Sequence, residues 1–437
     1  MVSRSPEVQT AIPKGVRVLL PEETAKRRYI MAKTLSVFRR WGFQEVVTPT
    51  FEYLDVLSVG AGEDQQEKIF KFVDRQTGQL LALRSDLTPQ VARMVATSLR
   101  HRPLPLRLAY AATVFRYQEP QAGRQREFFQ IGVELIGLEQ PEADAEMIAM
   151  AVESLKELGL GYFQIDVGQV EFFRGLMDAV ELGPEVRRKV ISAVRRKDAS
   201  ELELLFQAVP GDDRLKECLI ALPGLYGGKE VLAKAEGMAF NQRAREALAN
   251  LRQVYEILAF YGLSDYLIID LGETYGFEYH SGVVFEAFTK ALGYPLSGGG
   301  RYDDLIGRFG YPCPATGFAF DLERLLWALE AERVLPAYKG ADFLIIDFNP
   351  DKRQALRLAR LLREKGYSVA RDIIKRDLPG SLAYARDASI GRAIVLGTAG
   401  CKKDELILKD LLSDREEIHS IEGFSQKVSS GELRWPT

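Results

Sequence analysis

Phe128-Phe129-Gln130-Ile131-Gly132-Val133-Glu134-Leu135 alternates side chains at the two-residue period of a β-strand. Gln130, Gly132 and Glu134 share one face; Phe129, Ile131, Val133 and Leu135 share the other. An acceptor, a gap and a carboxylate in a row make a polar floor, and Gly132 has no side chain to keep a ligand off the backbone. The same alternation describes the solvated face of an edge strand, and spacing alone does not separate the two readings.

Working outward, Leu106 to Arg116 reads as a neighbouring strand, joined to the first by a polar, Arg-rich loop. Before it, Ile69 to Val73 and Leu80 to Leu83 flank Asp74-Arg75-Gln76-Thr77-Gly78-Gln79, a hairpin signal. Thr88-Pro89 predicts a helix start, with the hydroxyl as N-cap and proline at the first helical position. Glu22 to Trp41 is an amphipathic helix ended by Gly42, and a short strand, Glu45 to Thr48, runs into Pro49. After the central strands come a helix from about Ala143 to Leu158, a strand over Phe163, Ile165 and Val167, and a helical insertion at about 171–260. Strand patterns return at Leu267 to Leu271, Gly282 to Phe288 and Gly317 to Phe320. The whole predicts an α+β core, one mostly antiparallel sheet with helices on it. The apolar pattern breaks at Pro336, giving domains over 1–335 and 341–437. The second alternates strand and helix as a small α/β domain with a largely parallel sheet.

The 437 residues carry a net charge of -3 with 27% charged side chains, which gives no support to a nucleic-acid grip held by overall charge. Cys218, Cys313 and Cys401 lie far apart and predict reduced thiols in a cytoplasmic protein. No apolar leader or membrane-length segment is read, so neither secretion nor a membrane partner is expected. With only His101, His280 and His419, a multi-histidine metal site is not expected, and no cofactor is implied.

Several segments can carry chemistry. In Arg84-Ser85-Asp86-Leu87-Thr88-Pro89, Asp86 can cap a helix or receive an ammonium group, and capping is the commoner role. Phe115-Arg116 leads into a loop with Arg124 and Arg126, which can hold phosphate or be a basic solvated loop. Gly298-Gly299-Gly300-Arg301-Tyr302-Asp303 does not fit the phosphate-binding P-loop and can be a tight turn. Thr316 to Arg324 runs a strand into a helix whose Arg324 can reach a phosphate or make an ion pair.

Together these segments resemble a class II aminoacyl-tRNA synthetase of the histidyl type, from about Pro13 to Ala328, with a weaker resemblance of the C-terminal domain to an anticodon-binding domain. The helix–strand–Pro49 unit, the Phe115-Arg116 segment and Gly317 to Arg324 resemble the three class II motifs. Gly299 to Asp303 and Tyr279 to Glu286 resemble the two histidine-specific ones. The resemblance implies that Asp86, Thr88, Gln130, Glu134, Tyr279, His280 and Tyr302 form a histidine pocket, and that Arg116 and Arg324 are a phosphate-binding remnant. His280 stands where the family has a tyrosine against the imidazole.

The departures shape the expected function. Tyr275 stands where the synthetase has the arginine that activates the carboxylate, and a neutral phenol cannot stabilise charge developing at phosphorus. Gln118 and Glu119 replace an acidic and a basic residue of the second motif. The pattern, closest over Arg84 to Arg93 and Tyr117 to Gly137, resembles the non-catalytic synthetase paralogues that serve as regulatory subunits of short-form ATP phosphoribosyltransferase in histidine biosynthesis. No acidic pair with a small-residue loop for phosphoribosyl pyrophosphate is read in the chain. The resemblance implies a catalytic subunit as partner, histidine as allosteric effector, and a homodimer within a hetero-octamer, with no tRNA expected. The alternatives are an active histidyl-tRNA synthetase and a non-catalytic RNA-binding paralogue. Lys352, Arg353, Arg357, Arg360, Arg363 and Lys365 on one helix could serve the latter or be a solvated face.

Overall fold

A computed structural model describes residues 10–60, 62–117, 125–273, 276 and 279–432. It divides into two compact units at Leu335/Pro336. The strands of the first unit are β1 (Gln44–Glu45), β2 (Phe51–Tyr53), β3 (Lys71–Val73), β4 (Leu80–Leu83), β5 (Leu106–Phe115), β6 (Glu127–Ile136), β7 (Gln164–Gln169), β8 (Tyr226–Gly227), β9 (Leu267–Asp270), β10 (Val283–Phe288), β11 (Ser297–Arg301) and β12 (Ala315–Asp321).

Nine of them form one sheet in the order β1-β5-β6-β12-β11-β10-β7-β9-β8, and β2-β4-β3 form a small second sheet. The large sheet is mixed: β1 with β5 and β7 with β9 run parallel, and the other neighbours antiparallel. The fold is thus α+β with a mostly antiparallel sheet. The stretch β6 lies near its middle rather than at an edge, so its polar face is not an edge strand's solvated side.

Ile131, Val133 and Leu135 of β6 pack into a core with Val37 and Phe38 of the helix Pro21–Arg40 and with Ile148, Val152 and Leu155 of the helix Pro141–Glu157. Burying each such side chain is worth about 1.5–3 kcal/mol, so these two helices hold the sheet from that side. On the opposite face, Phe128 and Ile136 join Leu108, Tyr110 and Val114 of β5 against Val91 and Val95 of the helix Thr88–Thr97. Between those apolar ends lie Gln130, Gly132 and Glu134.

Three local expectations are corrected. Thr88 is the first helical residue, and its hydroxyl caps nothing; Asp86 Oδ1 instead accepts from the Leu87 and Thr88 N–H groups at 2.7 and 3.2 Å. The glycine run is a full strand, β11, not a turn between strands. The helical insertion includes the helices Pro184–Arg195 and Gln242–Phe260 but is interrupted by the short strand β8.

The second unit has β13 (Phe343–Asp347), β14 (Val369–Arg371), β15 (Arg392–Leu396), β16 (Glu405–Asp410) and β17 (Glu416–Ser420) in the order β14-β13-β15-β16-β17. Only the β13–β14 and β13–β15 pairings are parallel, so the sheet is mixed rather than largely parallel. Phe343 and Ile345 pack on one face with Leu358 and Leu362 of the helix Arg353–Glu364; Leu344 and Ile346 pack on the other with Ala385 of the helix Leu378–Asp387. Burial on both faces explains why the β13 segment reads as a continuous apolar run.

Candidate functional site

Cross-strand register lays out the floor of a cavity. Glu134 of β6 stands opposite Gly317 of β12, which stands opposite Gly300 of β11. Two residues along, Tyr110, Gly132, Ala319, Gly298 and Glu286 follow one another across five strands. Paired residues share a face, so a polar rim at Glu134, Tyr110 and Glu286 surrounds ground paved with glycine and alanine. A cavity of about 360 Å³ stands over it. Its lining includes all nine residues singled out in the sequence: Asp86, Thr88, Arg116, Gln130, Glu134, Tyr279, His280, Tyr302 and Arg324.

Glu134 is the hub. It is 1% exposed. Thr88 Oγ1 donates to its Oε1 at 2.7 Å, Tyr110 Oη to the same oxygen at 3.2 Å, and Tyr302 Oη to Oε2 at 2.5 Å. All three donors are neutral. Burial therefore dominates and pushes the carboxyl up to about 8, with the nearby Asp86 adding in the same direction and the hydroxyls opposing it. Space around it is tight: a Cβ at Gly317 would lie 1.9 Å from Glu134 Oε2.

Gly132 does not leave the gap expected of it. A Cβ there would meet the Tyr110 ring and hydroxyl at 2.6 Å, so Tyr110 fills the space and a ligand does not. Gln130 is buried, and its Oε1 has no hydrogen-bond partner among the described residues. The Tyr279 and Tyr302 rings stack with centroids 5.4 Å apart, and His280 meets Tyr279 edge-on at 4.9 Å. His280 is buried with Nδ1 3.1 Å from the Arg301 carbonyl oxygen, and burial lowers its pKa to about 4, so it is neutral at pH 7.

Both cavity arginines are turned to protein acceptors. Arg116 Nε donates to the Ser85 carbonyl at 2.9 Å, its Nη2 lies 3.5 Å from Asp86 Oδ2, and its guanidinium covers the Phe128 ring. Arg324 Nη1 donates to the Pro295 carbonyl at 2.7 Å, and its Nε lies 3.2 Å from Asp321 Oδ2. Arg301 of the glycine-rich motif is structural: it pairs with the buried Asp144 at 3.0 Å and with Asp303 at 3.2 Å.

Sequence reading missed three residues of this site. Tyr110 is legible only as a tyrosine among alanines on a strand. Glu286, pushed up to about 8 by burial and by Glu273, lines the far side; Asp321, raised by burial, caps the helix Leu322–Ala331. Tyr275, Gln118 and Glu119, on which the departures from the synthetase rest, lie outside the described residues. Among the described residues no three His, Cys, Asp or Glu side chains are grouped to hold a metal ion, and no helix is long and apolar enough to cross a membrane.

Comparison with known proteins gives consistent neighbours. The histidyl-tRNA synthetase family matches residues 15–325. The ATP phosphoribosyltransferase regulatory subunit of Geobacter metallireducens is 51% identical over 91% of this chain and 92% of its own length. That of Geobacter sulfurreducens is 46% identical over 97% of each chain. A solved structure from Bacillus halodurans, described as an ATP phosphoribosyltransferase regulatory subunit/histidyl-tRNA synthetase, superimposes with a TM-score of 0.79 at 33% identity, over 90% of this chain and 100% of that one. The histidyl-tRNA synthetase of Nostoc sp. PCC 7120, at 22% identity over 97% of this chain and 100% of that one, has the same fold with a TM-score of 0.81.

Proposed function

The chain belongs to the histidyl-tRNA synthetase-like family that includes curated ATP phosphoribosyltransferase regulatory subunits, and from that premise we propose that histidine, held in the Glu134 cavity, is the effector it reads. The role is regulatory, in histidine biosynthesis, with a catalytic ATP phosphoribosyltransferase subunit as partner. The observation that carries the histidine reading is Glu134 itself. It is a buried carboxyl group that burial holds protonated in the ligand-free protein, met by three hydroxyls and, among the described residues, by no cation. A bound imidazolium or ammonium group supplies the positive charge that lets this carboxyl ionise, with Gln130 Oε1 a second open acceptor.

The same cavity gives adenylation little. Tyr275 stands in the sequence where the synthetases carry an arginine, and Arg116 and Arg324 are drawn to protein oxygens. A non-catalytic subunit follows from this reading. So does the absence of a tRNA role: on the basic helix Arg353–Glu364, Arg353 pairs with Asp351 at 2.7 Å and Arg360 with Glu364 at 2.7 Å, and Arg363 donates to the Val369 carbonyl. A cytoplasmic homodimer within a hetero-octamer is the assembly that goes with it. Regulation then takes the form of linkage: histidine shifts the complex only by binding one arrangement more tightly than the other.

The test is histidine inhibition of the reconstituted complex. Glu134→Ala should abolish feedback and leave assembly intact, and inhibition retained at wild-type histidine concentrations would sink the assignment. Histidine-dependent exchange of pyrophosphate into ATP by the isolated chain should be absent, and robust exchange would restore the active-synthetase reading.

A further inference from the structure

The second unit holds a cavity of its own, about 570 Å³, at the carboxyl ends of the neighbouring parallel strands β13 and β14. Open α/β sheets bind ligands in such crevices, because the loops leaving the strand ends diverge and free backbone and side chains for contact. Position alone makes no site, and the lining is what argues for one here.

Two buried carboxylates lie in the lining. Asp347 Oδ1 accepts from the Asn349 N–H at 3.0 Å, and Asp372 Oδ1 accepts from the Ile374 N–H at 3.2 Å and from Arg376 Nη1 at 2.8 Å. The Oδ2 atoms of both are buried and accept no hydrogen bond from a described residue. The nearest cation to Asp347 Oδ2 is Lys352 Nζ at 3.8 Å, beyond hydrogen-bond reach. The two side chains are only 5% and 3% exposed, so each carries an acceptor that no described residue satisfies.

Beside these acceptors the lining carries a surplus of cations. Lys352 and Arg376 face the two carboxylates, while the side chains of Arg371 and Lys375 make no hydrogen bond or ion pair with a described residue. The lip is apolar: Ile373 is 80% exposed and Ile374 61%. A fitting ligand has an anionic group for Arg371 and Lys375, hydroxyl or amino donors for Asp347 and Asp372, and a flat apolar ring for the isoleucines. Arginine favours phosphate oxygens, and in nucleotide-binding α/β folds an acidic side chain takes the ribose hydroxyls. The volume lies within the range of small-molecule sites.

We propose that this crevice of the C-terminal unit binds a free ribonucleoside phosphate, with the ribose hydroxyls on Asp347 and Asp372 and the phosphate on Arg371 and Lys375. The site is independent of the histidine cavity and gives the subunit a second small-molecule input.

Calorimetric titration of the full chain with AMP tests it. Saturable binding with one AMP per chain is expected. Arg371→Ala, at a half-buried position, and Asp372→Asn, which keeps the Oδ1 acceptor, should each weaken binding at least tenfold. 2′-Deoxy-AMP should bind about tenfold more weakly than AMP, and the histidine-induced thermal shift should be unchanged in both variants. Three results would overturn the proposal. One is no saturable AMP binding through the millimolar range. Another is binding lost in Arg324→Ala but kept in Arg371→Ala and Asp372→Asn, which puts the nucleotide in the first cavity. The third is binding of a single-stranded oligoribonucleotide but not of AMP, which makes the crevice an RNA contact.

Discussion

Glu134 has an ordinary carboxyl pKa of 4.5 when exposed and is pushed up to about 8 by its burial among neutral hydroxyls. Between those values the folded, ligand-free protein holds a proton that the unfolded chain has released. The unfolded state then binds fewer protons, so folding stability falls as pH rises through this window. Glu286, at about 8, and Glu323, at about 7, push the same way. Neutral His280 pushes the other way, but only as pH falls from 6.5 towards 4. Glu134→Gln keeps the size and removes the titration. Chemical denaturation of the ligand-free variant should therefore lose less stability than wild type from pH 6 to 8, by at least about 1 kcal/mol, since a tenfold change in a protonation equilibrium is worth about 1.4 kcal/mol. Parallel stability profiles would mean that Glu134 is ionised throughout and that the cavity already supplies it with a cation.

At the scale of elements, the turn from β4 into the helix Thr88–Thr97 delivers Asp86 and Thr88 to the cavity, and Arg84 fixes it. That side chain is 6% exposed and donates to the Thr113 carbonyl at 2.6 Å, the Thr48 carbonyl at 2.8 Å and the Pro49 carbonyl at 3.3 Å. One guanidinium thus ties the segment after β1 and the end of β5 to the strand–helix junction. Arg84→Met fills similar space but strips those carbonyls of their donors. It should cost about 2–4 kcal/mol, read by urea unfolding, and weaken histidine binding through the displaced Asp86 and Thr88. Unchanged affinity in a folded Arg84→Met protein would show that the cavity does not depend on this clamp.

This junction also marks the limit of sequence reading. Period-two alternation made the β6 faces legible, and glycine placement made the β3–β4 hairpin legible, because both follow from neighbours in the chain. The fate of the Thr88 hydroxyl was not legible. A local rule makes it a cap, but Glu134, 46 residues away, offers a buried carboxylate instead, and Asp86 takes the capping. Tyr110 plugging the space over Gly132 is likewise a matter of register between β5 and β6, which no single strand's pattern encodes. Neither β16 nor β17 is read from the sequence; β17 exposes Glu416, Glu417 and Ile418 and has no apolar face, as suits an edge strand.

At the scale of the whole molecule, a fold built for aminoacylation hosts a regulatory role because function lives in sites grafted onto folds. The residues lining the Glu134 cavity run from Asp86 to Arg324 and all belong to the first unit. Phe343, Ile345, Leu358 and Leu362 belong to a hydrophobic core within the second unit. A chain ended after Leu335 therefore keeps every described side chain that lines the first cavity. Histidine titration of that truncated chain should give an affinity within about twofold of the full-length protein, since the deletion removes none of the described lining residues. A larger loss would mean that the second unit holds the first cavity in shape. An inhibitory signal could then pass between the two without the catalytic subunit, and the regulatory complex would contain two coupled inputs rather than two separate ones.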